Sequence, residues 1–422
     1  MTPPSALTAA EAVAALHAGA LTAEALVRAC LERIAAEEPR VRAWQHLEPE
    51  RALEQARRVD ATRPRPPLAG LPVGVKDIID TADMPTECGS PVRRGRRPAA
   101  DAACVTALRA SGAVVLGKTV TTEFALYTPG KTRNPHDPAR TPGGSSSGSA
   151  AAVADAMVPV ALGTQTAGSI IRPAAFCGIF GFKPTFGLLP VRGVFPLCPS
   201  LDTLGVFARS LDDLPLLSAA MGARIAAPRR DVPPRVGVCR TEQWPVAGPE
   251  VRRLLEETAA RLSAAGARVS ELELPAAFDG LPRVQETIMA VEAARSLAAE
   301  GGRELLSERL RALVAAGEAT APGAYQAALE RASSCRRALP AALGAVDVLL
   351  TPSTPGEAPV GLDGTGDPAF NRIWTLLHVP CVHLPISRGP AGLPLGVQLV
   401  GRAGGDGALL AVAGWIHERL AT

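Results

Sequence analysis

Aromatic side chains are scarce. Phenylalanine, tryptophan and tyrosine make up 4% of the 422 residues, which disfavours a pocket walled by a large aromatic cage. An excess of one charge is also missing: 44 Lys and Arg against 41 Asp and Glu leave a formal charge of +3. The nearest thing to a basic run, Arg93 to Arg97 (RRGRR), reads as a solvated loop face. Both points weigh against a nucleic-acid partner. The eight cysteines (30, 88, 104, 177, 198, 239, 335 and 381) form no CxxC, and the six histidines form no HxH or HxxxH. Free thiols, no protein zinc site and no bound cofactor are therefore expected. No stretch has the roughly 20 apolar residues that cross a bilayer. The start, MTPPSALTAAEAV, lacks the basic-then-apolar order of a signal peptide. The expected location is cytoplasmic.

What is present is a core-forming composition, 47% apolar and 20% charged. Length alone would allow two or three domains. Helical periodicity covers 6–37 and 50–60, with a capping box at Thr8 and Glu11 and a cap at Thr22. Short apolar segments at 73–79, 113–116, 158–162, 235–239, 268–274, 346–350, 381–386 and 395–400 read as buried strands. Helical stretches lie between them, at 101–111, 211–220, 250–264, 283–345, 371–377 and 409–420. The alternation predicts an α/β protein whose mixed central sheet, part parallel and part antiparallel, is covered on both faces by helices. One domain over 1–422 is expected. It divides into N-terminal helices (about 1–62), a catalytic core (about 63–210), an Ala-rich helical segment (about 283–345) and C-terminal elements (about 346–422) that complete the same unit. No internal repeat is found.

Two motif matches fail on context. Gly112 to Thr119 (GAVVLGKT) fits the phosphate-loop pattern, but a helix precedes it and its middle is apolar, so Lys118 and Thr119 read as the start of a strand-exit loop. Gly144 to Gly148 (GSSSG) centres on Ser146. The residues before it, RNPHDPARTPG, cannot be the strand that a nucleophile elbow requires. A Ser146 hydrolase using His378 or His383 stays as an alternative.

The chemistry concentrates in Thr141 to Pro173, TPGGSSSGSAAAVADAMVPVALGTQTAGSIIRP. Two loops of small residues flank an Ala-rich helix and a short apolar segment. Such loops let backbone N–H groups converge on one point. Ser145 lies in the first loop and Ser169 in the second. A serine nucleophile needs a base. With no motif-placed histidine, a buried neutral lysine is the candidate. Lys76 fits best because Val73, Val75, Ile78 and Ile79 bracket it; Lys183, in GFKPT, is the competitor.

These segments resemble the amidase signature family. The resemblance rests on GLPVGVKD around Lys76, TPGGSSSGSAAAVA around Ser145, LGTQTAGSIIRPAAFCGIFGFKPT around Ser169 and GLPLGVQLVG near the C-terminus. It implies the amidase signature fold and a Ser–cis-Ser–Lys unit: Ser169 as nucleophile, Ser145 as bridging serine after a cis Gly144–Ser145 bond, Lys76 as base. It also implies backbone N–H groups of Thr166, Ala167, Gly168 and Ser169 around the developing oxyanion. Position 167 is usually glycine in this family. Alanine there is strained if φ is positive and narrows the pocket if φ is negative.

Arginine stands three residues after Ser169, at Arg172, where many relatives have it after two. With GTQT before and AAFCG after, this resembles malonamate-hydrolysing members of the family and implies Arg172 as a carboxylate anchor. The alternative is a structural arginine. Tyr127, Thr128, Gly130 and Arg133 are expected to line the same cleft, with Thr164 and Gln165 donating from behind. The resemblance thus points to a small, carboxylate-bearing amide as substrate and ammonia as product. Allophanate- or biuret-type hydrolysis, a broad amidase, and the glutaminase subunit of a tRNA-dependent amidotransferase are the alternatives. A homodimer is expected only from how common dimers are.

Overall fold

The computed structural model describes residues 2–226 and 229–420. Eleven strands make one sheet: β1 (Trp44–Leu47), β2 (Pro72–Lys76), β3 (Val114–Thr119), β4 (Val160–Gln165), β5 (Phe180–Lys183), β6 (Thr203–Ala208), β7 (Arg235–Val238), β8 (Arg268–Glu271), β9 (Val348–Pro352), β10 (Cys381–Arg388) and β11 (Pro394–Val400). Their order is β1-β3-β2-β4-β6-β5-β10-β11-β9-β7-β8. Pairs β2–β3, β2–β4, β7–β8 and β7–β9 are parallel and the rest antiparallel. The sheet is therefore mixed, and strands from both ends of the chain share it.

The helices are α1 (Ala9–Ala18), α2 (Ala23–Val41), α3 (Pro49–Ala61), α4 (Ala103–Ala110), α5 (Ser147–Ala154), α6 (Ile171–Cys177), α7 (Asp213–Ala220), α8 (Pro249–Ala264), α9 (Leu281–Ala298), α10 (Glu308–Ala319), α11 (Pro322–Ala342), α12 (Arg372–Leu376) and α13 (Asp406–Leu420). The capping box forms at Thr8 and Glu11, and Thr22 caps α2. Strands β2, β3 and β4 are buried along their whole length. That is why they read as continuous apolar runs rather than alternating ones. None of the helices among the described residues is long and apolar enough to cross a membrane.

Four expectations need correction. Strand β3 runs on to Thr119, so Lys118 is a buried strand residue, not part of an exit loop. Its register explains this: Lys118 pairs with Val75 on one side and His46 on the other. Its ammonium donates to Ile79 O at 2.7 Å and Thr86 Oγ1 at 2.5 Å and lies 3.5 Å from Asp77. The basic loop is not simply solvated. Arg93 and Arg96 are half-buried and pair with Glu300 and Asp80. Strand β2 ends at Lys76; residues 77–78 turn, and Ile79 forms an isolated bridge with Val194. Strands β1, β5 and β6 fall outside the apolar segments expected to be strands.

Candidate active site

Parallel strands β2 and β4 carry their C-terminal ends to one edge, where the two small-residue loops meet. Lys76 closes β2 and is fully buried. Its Nζ donates to Ser145 Oγ and Thr164 Oγ1, both at 2.7 Å. Burial pulls its pKa down from 10.5 to about 7, against the opposing pull of Asp202 and Cys88. A lysine in this state is substantially neutral near neutral pH. Lys183 is also buried, but its ammonium donates to Pro184 O at 3.0 Å and it does not border the serine cleft.

Ser145 follows Gly143 and Gly144, both with positive φ (+86° and +58°). A Cβ on Gly144 would lie 3.1 Å from Ser169 Cα and 2.7 Å from Pro173 Cδ, so only glycine lets the two loops touch. The Gly144–Ser145 bond is trans; the cis bond among the described residues is Arg63–Pro64. In this arrangement the Ser145 N–H donates to Ser169 Oγ at 3.0 Å. No hydrogen bond joins the two hydroxyls directly.

The second loop, Thr166 to Ser169, is anchored by its carbonyls. Gln285 Nε2 donates to Thr166 O (3.0 Å), Thr375 Oγ1 to Ala167 O (2.8 Å) and the Arg172 N–H to Gly168 O (3.0 Å). Gln165 Oε1 accepts from the N–H groups of Ile170 and Ile171. Among the described residues, the N–H groups of Thr166, Ala167, Gly168 and Ser169 donate to no protein group. Fixed carbonyls with free N–H groups are what an oxyanion site requires. Ala167 is not among the positive-φ residues, so it carries no left-handed strain. Gly168 backs onto Asn371, whose Oδ1 would lie 2.5 Å from an added Cβ.

Both serines open onto a small cleft bordered also by Ala125 to Tyr127, Thr166, Ala167, Arg172, Met289, Thr365, Gly366, Pro368 and Arg372. Arg172 is 5% exposed. Its Nη2 donates to Thr365 Oγ1 at 3.2 Å, while Nε and Nη1 are buried without a partner. Burial and the nearby Arg372 lower its pKa to about 9, with Asp367 and Tyr127 opposing. It is still charged at neutral pH.

Tyr127 borders the cleft, as expected. Thr128, Gly130 and Arg133 do not. The chain takes left-handed φ at Phe124 and Ala125 (47° and 62°) and turns away, so Thr128 Oγ1 pairs with Ser307 Oγ at 2.6 Å. Gly130 borders a different cavity with Gln45, Glu87 and Lys131. The Arg133 N–H donates to Val41 O. Thr164 and Gln165 touch the site from behind, one on Lys76 and the other on the second loop. Ser146 is fully buried, and its hydroxyl clamps the main chain of Thr164. His378 and His383 bond Ser200 O and Ser353 Oγ and do not meet it.

Several polar residues that build the site lie outside the motifs, among them Asp202, Gln285, Thr365, Arg372 and Thr375. Asp202 accepts from Thr166 Oγ1 at 2.5 Å and the Cys198 N–H at 2.8 Å, and burial pushes its carboxyl up to about 7. Arg372 carries a sequence signal all the same. It is a lone charge in the apolar stretch AFNRIWTLL, the same signal that marks Lys76.

A family model described as Amidase matches residues 25–410. A glutamyl-tRNA(Gln) amidotransferase subunit from Chloroflexus aggregans is 36% identical, covering 96% of this chain and 95% of that relative. A crystal structure of an amidase superposes with a TM-score of 0.90 at 34% identity, covering 98% of this chain and all of that one. The peptide amidase of Stenotrophomonas maltophilia gives 0.85 at 32% identity, covering 100% and 98%.

Proposed function

The chain belongs to the Amidase family and is an enzyme that cleaves amide C–N bonds, and from that premise we propose that it hydrolyses a small amide bearing a carboxylate, of the malonamate kind, and releases ammonia. The observation that carries this is Arg172. A guanidinium at 5% exposure, with Nε and Nη1 unpartnered and a second arginine beside it, is costly unless an anion joins it. A carboxylate on either fork, Nε with Nη2 or Nη1 with Nη2, would take up one of the two open nitrogens and balance the charge. The scissile carbonyl would then lie over Ser169, between Arg172 and the free N–H groups.

Ser169 acts as the nucleophile in this reading. The relay requires its hydroxyl to leave the Ser145 N–H and reach Ser145 Oγ. Neutral Lys76 takes the Ser145 proton as Ser145 takes that of Ser169, and Ser169 Oγ attacks the carbonyl carbon. The oxyanion is received by N–H groups of the second loop. As the C–N bond breaks, the proton returns through Ser145 to the nitrogen, which leaves as ammonia. Water then cleaves the acyl-serine ester by the same relay.

The second reading is a glutaminase. It is favoured by the 36% identity, over nearly the full length of both chains, to a component of a glutamyl-tRNA(Gln) amidotransferase. Glutamine brings both an α-carboxylate, which suits the two guanidiniums of the cleft, and an α-ammonium group, which they repel.

Ammonia release from malonamate, malonamide, allophanate, biuret, glutamine and propionamide separates these readings. Malonamate is expected to have the highest kcat/KM. Arg172→Leu is expected to cut the malonamate to propionamide ratio at least 30-fold, the order of one charge-assisted hydrogen-bonded pair. Equal loss on both substrates would return Arg172 to a structural role. Glutamine as the preferred substrate would replace this reading with the second.

A further inference from the structure

The cleft holds a second arginine that the Ser169–Arg172 turn does not explain. Arg372 opens α12, and its side chain is 10% exposed. Its Nη1 donates to Gln285 Oε1 at 2.6 Å, and its Nη2 lies 3.5 Å from Glu286 Oε1. Gln285 is fully buried, and its other end holds Thr166 O. Arg372 is therefore fixed from behind by a neutral amide and only loosely paired with a half-exposed carboxylate. The charged or titratable groups around the cleft are Lys76, Asp202, Arg172, Glu286, Asp367 and Tyr127. Of these, Asp202 is turned to Thr166 and Cys198.

We propose that Arg372 is a specificity-determining residue of this cleft: with Arg172 it receives the substrate's carboxylate from a second side, and it excludes amides that carry an ammonium group near the acyl carbon. The proposal rests on the carboxylate reading above. Two guanidiniums bordering one small cleft repel each other, and an anion between them removes that repulsion. A cationic group in the same place would add to it. Held by Gln285, the Arg372 fork needs little reordering when substrate arrives. The bond from Gln285 to Thr166 O puts Arg372 and the carbonyl-binding loop on one support, so an anion seated on Arg372 lies at a fixed distance from that loop.

The test measures kcat and KM for malonamate, propionamide and glutamine in the wild type, Arg372→Leu, Arg372→Lys and Arg372→Asp, with thermal melts of each. In Arg372→Leu the malonamate to propionamide ratio is expected to fall at least 30-fold, chiefly through KM. Arg372→Lys is expected to recover at least a third of that ratio on a logarithmic scale. Arg372→Asp is expected to raise glutamine relative to malonamate by at least 100-fold. Equal losses on both substrates in Arg372→Leu, or no recovery in Arg372→Lys, would overturn the proposal. If Arg372→Leu fails to fold, Arg372→Lys against wild type decides. A wild type with no preference for malonamate overturns the carboxylate reading and this proposal with it. A wild-type preference that survives in Arg372→Leu overturns the role of Arg372 alone.

Discussion

Lys76 makes the fold less stable than its shape requires, and the size of that effect can be worked out. Its pKa falls from 10.5 to about 7 because the ammonium is fully buried. At about 1.36 kcal/mol per pH unit, that difference corresponds to about 5 kcal/mol held against the folded state. Between pH 7 and 10.5 the unfolded chain binds the proton that the folded chain has released, so wild-type stability rises with pH across that window. The penalty is fully present below about 7 and gone above about 10.5. Lys76→Met keeps the length and the apolar stem. It loses the hydrogen bonds to Ser145 and Thr164, about 1 kcal/mol each. The variant is therefore expected to be inactive and about 2–3 kcal/mol more stable than wild type at pH 7, with the gap closing and reversing sign as pH approaches 10.5. Urea unfolding of both proteins from pH 6 to 10.5 measures it. A variant less stable than wild type at pH 7, with a pH-independent difference, would refute a neutral buried lysine.

Two further outcomes follow from the same geometry. On propionamide, which has no charge to bind, kcat/KM is expected to rise with pH and level off with an apparent pKa near 7, as Lys76 becomes neutral; a flat profile from pH 5.5 to 8.5 would contradict this. Thr375→Val removes the bond to Ala167 O and the acceptor of Gln165 Nε2 and is expected to lower kcat 10- to 100-fold with a stability loss of about 2 kcal/mol; unchanged kcat would show that the loop needs no such support.

The sequence is most informative where chemistry conflicts with surroundings. Lys76 stands out because valines and isoleucines bracket it. Ser145 and Ser169 stand out because glycine and serine replace bulk at two loops flanking an alanine-rich helix. Composition and alternation are enough for a mixed sheet covered by helices, since the central strands are buried on both faces and read as apolar runs. The remainder depends on contacts that linear order does not record. Thr128 and Gly130 are close in sequence to Tyr127, but the left-handed pair Phe124–Ala125 redirects the chain, and the cleft border ends at Tyr127. The Gly144–Ser145 bond is trans where the resemblance implies cis, and Gly143 and Gly144 both take positive φ. Arg372 sits far beyond Ser169 in the chain. Its place in a short helix suggests a solvent-facing charge, whereas all five residues of α12 are buried. Strand β6 is hard to read because TLGVFA follows a long irregular stretch without a clear start signal; its antiparallel partners β4 and β5 define it.

The central claim is that Ser169, activated through Ser145 and Lys76, forms the covalent acyl intermediate. The direct measurement is mass spectrometry of the protein after reaction with an alkylphosphonate or sulfonyl fluoride, with peptide mapping of the modified residue. The expected result is one adduct per chain, on Ser169, absent in Ser169→Ala and strongly slowed in Lys76→Met. An adduct on Ser146, or labelling that persists in Ser169→Ala, would contradict it.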